Sequence, residues 1–404
     1  MHIMQFSSTS VRRSPPSITT LVILSGLSAL SMNLFLPSLP NMAEYFETEY
    51  RVMQLSIALY LLINAVLQIL IGPIADKAGR RPVMLWGLGL FLLATLGCIY
   101  APNVEVFLAF RMSQAVVVVG MVLSRAAVRD LYEQDKAASM IGYVTMGMAV
   151  VPMIGPAIGG ILEEVFGWKA NFWFPFLVGA LAIWLTYSDF GETSIKSGKT
   201  LLQQFREYPE LLTSPRFWGY SLSSAFSSGA FFAYLGGAPF IGTEVFGMTA
   251  AEIGIYFGAP ALGYFFGNFL SGRYSVRFGI NKMVLWGSWL NALGVFLSAL
   301  LFLAGLGSAI SFFGFMTFVG VGNGMAIPNA TSGSLSVRPH LAATASGLSG
   351  AIMLGGGAAL SALAGALLTQ ETGAMPLLWL MLTTAVLAIA AISLVIWRER
   401  QLGL

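Results

Sequence analysis

Arg111 and Gln114 stand three residues apart in the stretch RMSQ at 111–114. Residues three apart share a face of a helix, so a guanidinium and an amide would point the same way. Arg111 is the one cation that falls away from the ends of a long apolar run. A guanidinium keeps its charge and carries five donors in a rigid fork. Inside such a run it must face a cavity or a partner; its alternative is to snorkel to the nearby run end at Val104. No acid waits for it there. All 18 Asp and Glu residues lie at or beyond the ends of the apolar runs, and none lies in the middle of one.

A second cluster reads GPIADKAGRRP at 72–82, with Asp76, Lys77, Arg80 and Arg81 packed around Gly79. Gly72 would allow a close helix approach, Asp76 would cap a helix end, and Gly79 would permit a tight turn. Two hundred positions later the chain reads VRFGINKMVLWG at 276–287. Gly79 aligns with Gly279, and Leu85-Trp86-Gly87 with Leu285-Trp286-Gly287, without a gap. The second copy has lost the acid, which is Val276, and keeps Arg277, Gly279 and Lys282.

Other chemistries find no support. The single Cys98 excludes an intramolecular disulfide and a cysteine metal centre. His2 and His340 are far apart. SGKT at 197–200 resembles the end of a phosphate-binding loop, but Thr193 stands where its first glycine must be. An enzyme would need Ser/His, Cys or acid clusters at membrane depth, and there are none.

The elements that must position Arg111 follow from composition. The 404 residues are 56% hydrophobic and 10% charged, with a mean hydropathy of +0.77. So few charges cannot cover a soluble protein of this size. Apolar runs of spanning length lie at about 18–40, 52–75, 83–101, 106–126, 139–162, 171–188, 217–240, 252–271, 283–305, 308–330, 341–369 and 374–397. Each must be helical to satisfy its backbone in hydrocarbon. The predicted fold is therefore an all-α integral membrane protein of twelve transmembrane helices. The polar start, with Arg12 and Arg13, leads into a first run too long for a signal peptide.

All but three of the 21 Lys and Arg residues fall on one side of this arrangement; the exceptions are Arg51, Lys169 and Arg111. The positive-inside rule puts that side, and both termini, in the cytoplasm. The longest loop divides the chain into a tail at 1–17, a six-helix bundle at 18–188, a linker at 189–216, a second bundle at 217–397 and a tail at 398–404. The echo of 72–87 at 276–287 occupies the same corner of each bundle. Repeated halves point to alternating access around a site between them, as in secondary transporters, rather than to a channel.

GPIADKAGRRP resembles the G-x-x-x-D-R-x-G-R-R/K signature of the major facilitator superfamily, with Lys77 in place of the usual arginine. The stretch QLSIALYLLINAVLQILIGPIADKAGRRPVML (54–85), RAAVRDLY (125–132) and GWKANFW (167–173) are similar to the bicyclomycin and chloramphenicol resistance group of drug:proton antiporters. RMSQAVVVVG (111–120) resembles the Arg-x-x-Gln-Gly motif of their fourth span, with Ala115 for the last glycine. GMAVVPMIGPAIGG (147–160) resembles the antiporter signature of the fifth. The likeness is strong over 31–188; the second half is matched mainly by span count and the degenerate repeat.

The resemblance implies the superfamily fold, two pseudo-symmetric bundles with a central cavity. It implies that Asp76, Arg80, Arg81, Asp130, Gly155 and Pro156 serve gating. It implies a cavity lined by Asn33, Tyr60, Asn64, Arg111, Gln114, Phe231, Tyr234 and Tyr256, among others. Aromatic surfaces with a few amides and one cation suit neutral, zwitterionic or anionic amphiphiles. The group's first span usually reads Asp-Met-Tyr-Leu-Pro, and here it is NLFLP, Asn33 to Pro37. An amide cannot carry the proton. Coupling then falls to an end-of-span acid such as Glu133 or Glu44, to the substrate's own charge or proton, or is absent in a facilitator; another group carrying the proton is the expectation.

The expected function is secondary active multidrug efflux by proton antiport from a bacterial inner membrane. A narrow exporter or facilitator of a metabolite, such as a siderophore or amino-acid derivative, is the alternative. The expected partners are a small drug-like substrate and the lipid bilayer. No nucleic acid, metal or cofactor beyond the proton is expected, and the chain is expected to work as a monomer.

Overall fold

A computed structural model describes residues 16–131, 151, 154–193, 208–338, 341–369 and 371–403. Asp130 falls in the last turn of a described helix, but its side chain lies outside what is described. The described residues are helical, with no strand among them.

Local chemistry sets the helix boundaries. Ser17 accepts from the Thr20 amide and starts α1 (Ile18–Asn33). The run expected to continue to 40 breaks after Asn33 into a tight turn, Leu36–Ser38, and the short α2 (Leu39–Tyr45). Pro37 and Pro40 lack the amide hydrogens that a continuous helix needs, so NLFLP sits at a break. Next come α3 (Tyr50–Ala78) and α4 (Arg80–Ile99), separated by Gly79 alone. Asn103 caps α5 (Val104–Gln114) through the Val106 amide. After a tightened turn at Ala115–Val117 the chain continues as α6 (Val118–Leu131). α7 is described over 154–166, and α8 is Ala170–Ser188.

The second series opens with Ser214 capping α9 (Pro215–Phe240), which ends in a widened turn at Ile241–Val245. Thr249 and Glu252 form a reciprocal capping box at the start of α10 (Ala250–Tyr256). α11 (Gly258–Phe278), α12 (Ile280–Leu303), α13 (Ala309–Ser336), α14 (Ala342–Leu367) and α15 (Met375–Leu402) follow. Among the described residues ten stretches are long and apolar enough to cross a membrane. α9, long but rich in serine, and the fifth crossing, described from 154 on, complete the twelve of the expected fold.

α9 is the buried axis of its half: 20 of its 26 residues are buried, and it packs on α13, α14 and α15. α3 lies along α14, so these two helices join the series. Large apolar side chains are exposed around the periphery, including Trp86, Leu93, Trp184, Trp289 and Leu394. In water such a surface would drive association; around a bundle of this hydropathy it is the face for lipid.

The repeated corner has a structural counterpart. Gly79 and Gly279 both take positive φ, 100° and 83°, and each joins two long helices. At the first corner the Glu192 carboxylate accepts from the backbone amides of Arg80 (2.9 Å) and Arg81 (3.3 Å). An anion there complements the helix dipole of α4. At the second corner Asn281, two hundred positions after Arg81, donates to Glu399, which also pairs with Arg216 (2.6 Å) and accepts from Tyr220 (3.0 Å). An acid that follows the sixth crossing of each half thus clasps that half's corner.

The two glycines make an internal comparison. A Cβ on Gly79 would sit 2.6 Å from the Glu192 carboxylate, while a Cβ on Gly279 would meet nothing within 4 Å. Both substitutions strain the backbone, by on the order of 1–3 kcal/mol. Gly79→Ala also dislodges the clasp. Gly79→Ala is expected to lower the melting temperature of the detergent-solubilised protein more than Gly279→Ala. Equal shifts would show that Glu192 contributes nothing to holding the corner.

Candidate functional site

Arg111 is buried, with 1% of its surface exposed, so it does not snorkel. One terminal nitrogen donates to the Gln114 side-chain oxygen (2.7 Å) and the Ser31 hydroxyl (3.3 Å). The other donates to the Ser31 carbonyl (2.9 Å). The Phe35 and Tyr60 rings lie over the guanidinium, each centroid 4.3 Å from its central carbon. Gln114 in turn donates to Thr95 (2.8 Å), whose hydroxyl donates to the Phe91 carbonyl (2.7 Å). The predicted Arg-x-x-Gln pair is therefore real, and it ties α5 to α1, α3 and α4. No carboxylate pairs with Arg111 among the described residues.

Three atoms around this cation lack a hydrogen-bond partner: Arg111 Nε, Tyr60 Oη and Asn64 Oδ1. The Tyr60 hydroxyl lies near Ser28, Ser31 and Asn64. These are the polar handles that a bound molecule would find here. Asn33 is buried two residues before Phe35 and donates to the Ala29 carbonyl of its own helix (2.7 Å). A Cβ on Gly155 would lie 3.7 Å from the Asn33 side chain.

Phe231, Tyr234 and Tyr256 form a separate group. Tyr234 stacks with Phe231 at 6.3 Å and packs on Phe257 at 4.9 Å. Tyr256 reaches the same cluster through Phe313, at 5.1 Å. The Tyr234 hydroxyl is buried without a partner. The aromatic group and the Arg111 group share no ring contact or hydrogen bond among the described residues, although both border one apolar core.

Gly155 and Pro156 lie on α7, where the two series of helices cross. A Cβ on Gly254 would sit 2.2 Å from the Pro156 carbonyl, and one on Gly160 would sit 2.3 Å from the Ala250 carbonyl. The fifth span thus meets the other half in a backbone-to-backbone crossing of α7 and α10. Gly159 faces its own half instead, against the Leu34 carbonyl.

Beside this crossing lie residues that the sequence reading missed. Gln54 is fully buried between the halves and donates to the Ser361 carbonyl and hydroxyl. It occupies a notch formed by Gly236 and Gly365, where any Cβ would collide with its amide. Tyr50 donates to the Gly236 carbonyl (2.7 Å), and Glu164 accepts from the Ala251 amide (3.2 Å). An amide near the start of an apolar run was the available signal for Gln54. Nothing in the sequence pairs position 54 with position 361.

At the opposite end Asp76 pairs with Arg80 at 3.0 Å, one turn along. Arg81 donates to the Tyr187 carbonyl (2.8 Å) and lies over the Tyr187 ring. These contacts stay within the first half. Nearby, Asp189 accepts from Thr20 (2.5 Å) and from the Ser17 amide (2.8 Å). Burial alone would raise the Asp189 pKa, but these hydrogen bonds outweigh it and hold the carboxyl below its usual value.

Arg111→Lys keeps the charge but loses the planar fork that spans Ser31 and Gln114. The two ring contacts also weaken; such desolvated contacts are worth about 2 kcal/mol each. The variant is expected to melt earlier than the parent and to behave nearer to Arg111→Ala than to the parent. A lysine variant with parental stability and parental ligand response would mean that only the charge matters.

Residues 21–359 match the Major Facilitator Superfamily. The chloramphenicol resistance protein of Pseudomonas aeruginosa is 29% identical over 376 residues, covering 91% of this chain and 88% of that one. Multidrug resistance protein D of Escherichia coli is 28% identical over 372 residues, covering 89% and 90%. The fold is similar to that of a bacterial homolog of the human lysosomal transporter Spinster, in an inward-facing and occupied conformation: TM-score 0.71, 17% identity, 95% and 96% covered. With a match over most of its length and a bundle of apolar helices to fit it, this chain is a multi-pass membrane protein that belongs to the Major Facilitator Superfamily.

Proposed function

We propose that the protein is a secondary active exporter of small amphipathic drugs, working by alternating access in a bacterial inner membrane. The observation that carries this reading is the seam of α7 against α10. The helix that bears the antiporter-like stretch ends in the backbone contacts that join the halves, beside the Gln54 plug. A helix placed there governs whether this end is shut or open. The names of the chloramphenicol and multidrug resistance relatives support drug-like cargo.

In this reading the Tyr50 end faces outward and is shut, and the Asp76 end faces the cytoplasm with both termini. The distribution of Lys and Arg supports that orientation. Substrate enters between the halves from the Asp76 end. It lies against the aromatic group of Phe231, Tyr234 and Tyr256 and the polar handles near Arg111. With a fixed cation and no acid beside it, the site favours neutral, zwitterionic or anionic compounds over strong cations. Opening requires Gln54 to leave its notch and α10 to slide from α7, while the Asp76 and Glu192 contacts keep the first corner rigid. One chain contains both halves and suffices as a monomer, and no nucleic acid takes part.

The test is a susceptibility panel in an efflux-deficient host, followed by transport into inverted vesicles. Expression should raise resistance to several uncharged or zwitterionic amphiphiles, and an uncoupler should abolish their accumulation. Uptake that only equilibrates and ignores the uncoupler would identify a facilitator. Resistance to nothing on the panel would favour a narrow metabolite exporter.

Asn33→Asp probes coupling directly. The Asn33 amide now donates to the Ala29 carbonyl, and an aspartate can keep that bond only as the acid. Initial rates of the variant are expected to depend more steeply on an imposed pH gradient than those of the parent. Unchanged dependence would place the titrating group elsewhere and leave Asn33 with no part in it.

A further inference from the structure

Glu163 stands one turn beyond Gly160 on α7, just past the apolar run 139–162. Residues three and four apart share a helix face: Glu164 continues the face that Gly160 presents to α10, and Glu163, three beyond Gly160 and four beyond Gly159, lies at the edge between that face and the first half. Their environments differ. Glu164 is exposed and accepts from the Ala251 amide across the seam. Glu163 is 7% exposed. One of its oxygens accepts from the Asn41 amide at 2.6 Å, and the other, Oε2, is buried with no partner. A buried carboxylate needs both oxygens solvated or paired. A carboxylic acid needs much less: its carbonyl oxygen keeps the Asn41 bond and its proton rests on the second oxygen.

We propose that Glu163 is a proton-binding site, loaded when the Tyr50 end shuts and emptied into the water at that end when it opens. The proton goes to Oε2 and the Asn41 bond to Oε1 is kept. Among the described residues, charged groups on the neighbouring elements do not supply a counter-ion. Lys169, in the turn after α7, is drawn over the Tyr45 and Trp168 rings. Glu44 on α2 is exposed, Arg51 pairs with Glu49, and Glu252 serves the α10 capping box. Glu164 is the charge that acts on Glu163, and it is of like sign.

Burial pushes the Glu163 pKa up from 4.5 to about 7, with Glu164 adding to the shift and the Asn41 bond opposing it. Opened to water, the group returns toward its ordinary value. Between these two limits closure takes up a proton. The ratio of shut to open forms therefore falls by up to tenfold for each unit of rising pH, and the dependence fades above about 7 and below about 4.5. The effect belongs to the end that carries Glu163, so acid on that side alone favours the shut form.

The experiment uses the full chain in lipid nanodiscs and needs no substrate. An infrared titration should show a protonated carboxyl lost with a midpoint near 7, and that signal should vanish in Glu163→Gln. Spin labels on Phe166→Cys and Leu306→Cys, one exposed site on each half, should report more of the long, open distance as the pH rises from about 5.5 to 8. Glu163→Gln should hold the low-pH distribution throughout. Asn41→Ala, which leaves the acid in place, should move the midpoint upward. The proposal is overturned if no carboxyl titrating above pH 6 disappears in Glu163→Gln, if the glutamine variant keeps the parental pH response, or if Asn41→Ala leaves the midpoint unmoved. Because no transported compound enters these measurements, their outcome is independent of whether the cargo is a drug or a metabolite.

Discussion

A guanidinium inside a bundle of apolar helices must have its donors and both faces met by protein, because hydrocarbon meets none of them. Arg111 meets this at all but its Nε, and with no carboxylate among the described residues: Ser31 and Gln114 take the terminal donors, and Phe35 and Tyr60 cover the faces. The requirement reaches far. It holds α5 against α1 and α3, and through Gln114 and Thr95 it extends to α4. Four crossings of the first half are thus fastened around one charge. Such a cluster moves as a block, as a half must when it rocks against its partner.

The seam between the halves is made on the opposite principle. It uses backbone contacts at small residues and few side-chain hydrogen bonds. Gly160 against Ala250 and Gly254 against Pro156 bring two helices as close as their carbonyls allow. Lipid drives no association of apolar helices, so packing of this kind and a few hydrogen bonds supply the attraction. Hydrogen bonds inside membrane proteins are worth roughly 0.6 kcal/mol on average. Those from Gln54 and Tyr50 therefore close the end without locking it. A rigid block joined to its partner by a shallow seam is the mechanical requirement for switching.

The contrast explains what the sequence revealed. Spans, the repeated corner and the Arg-x-x-Gln face depend on spacing within one segment, and each was legible. Gly155 and Pro156 were singled out by the resemblance of 147–160 alone. The break after Asn33 was missed because hydropathy does not register Pro37 and Pro40. Gln54, Glu192 and Glu163 were missed as members of the seam and corner for another reason. Their partners lie 307, 111 and 122 positions away, and nothing local marks them. Composition also cannot distinguish an acid beyond a span that stays in water, such as Glu164, from one that is buried, such as its neighbour.

That last distinction bears on how a proton gradient can act on this chain. A fixed charge such as Arg111, which keeps its partners within one half, does no electrical work by itself when the halves rock. Work requires a group whose proton occupancy differs between the two forms. Asn33 cannot be that group, and the acids of the corners, Asp76 and Glu192, bind cations or helix amides within one half, so their surroundings need not change as the halves part. In the proposed reading Glu163 differs: its bond to Asn41 also stays within the first half, but it stands beside Glu164, which reaches α10 across the seam, so parting the seam lets water reach it. In the proposed orientation a proton that arrives there from the outer water promotes closure at that end, which is the return step an exporter needs after releasing its cargo. The proton need not then cross beside the substrate for the outer pH to bias the cycle. In the proposed reading the response to outer pH and the binding of substrate are thereby separated along the molecule, the first at the seam of α7 and the second around Arg111 and the aromatic group.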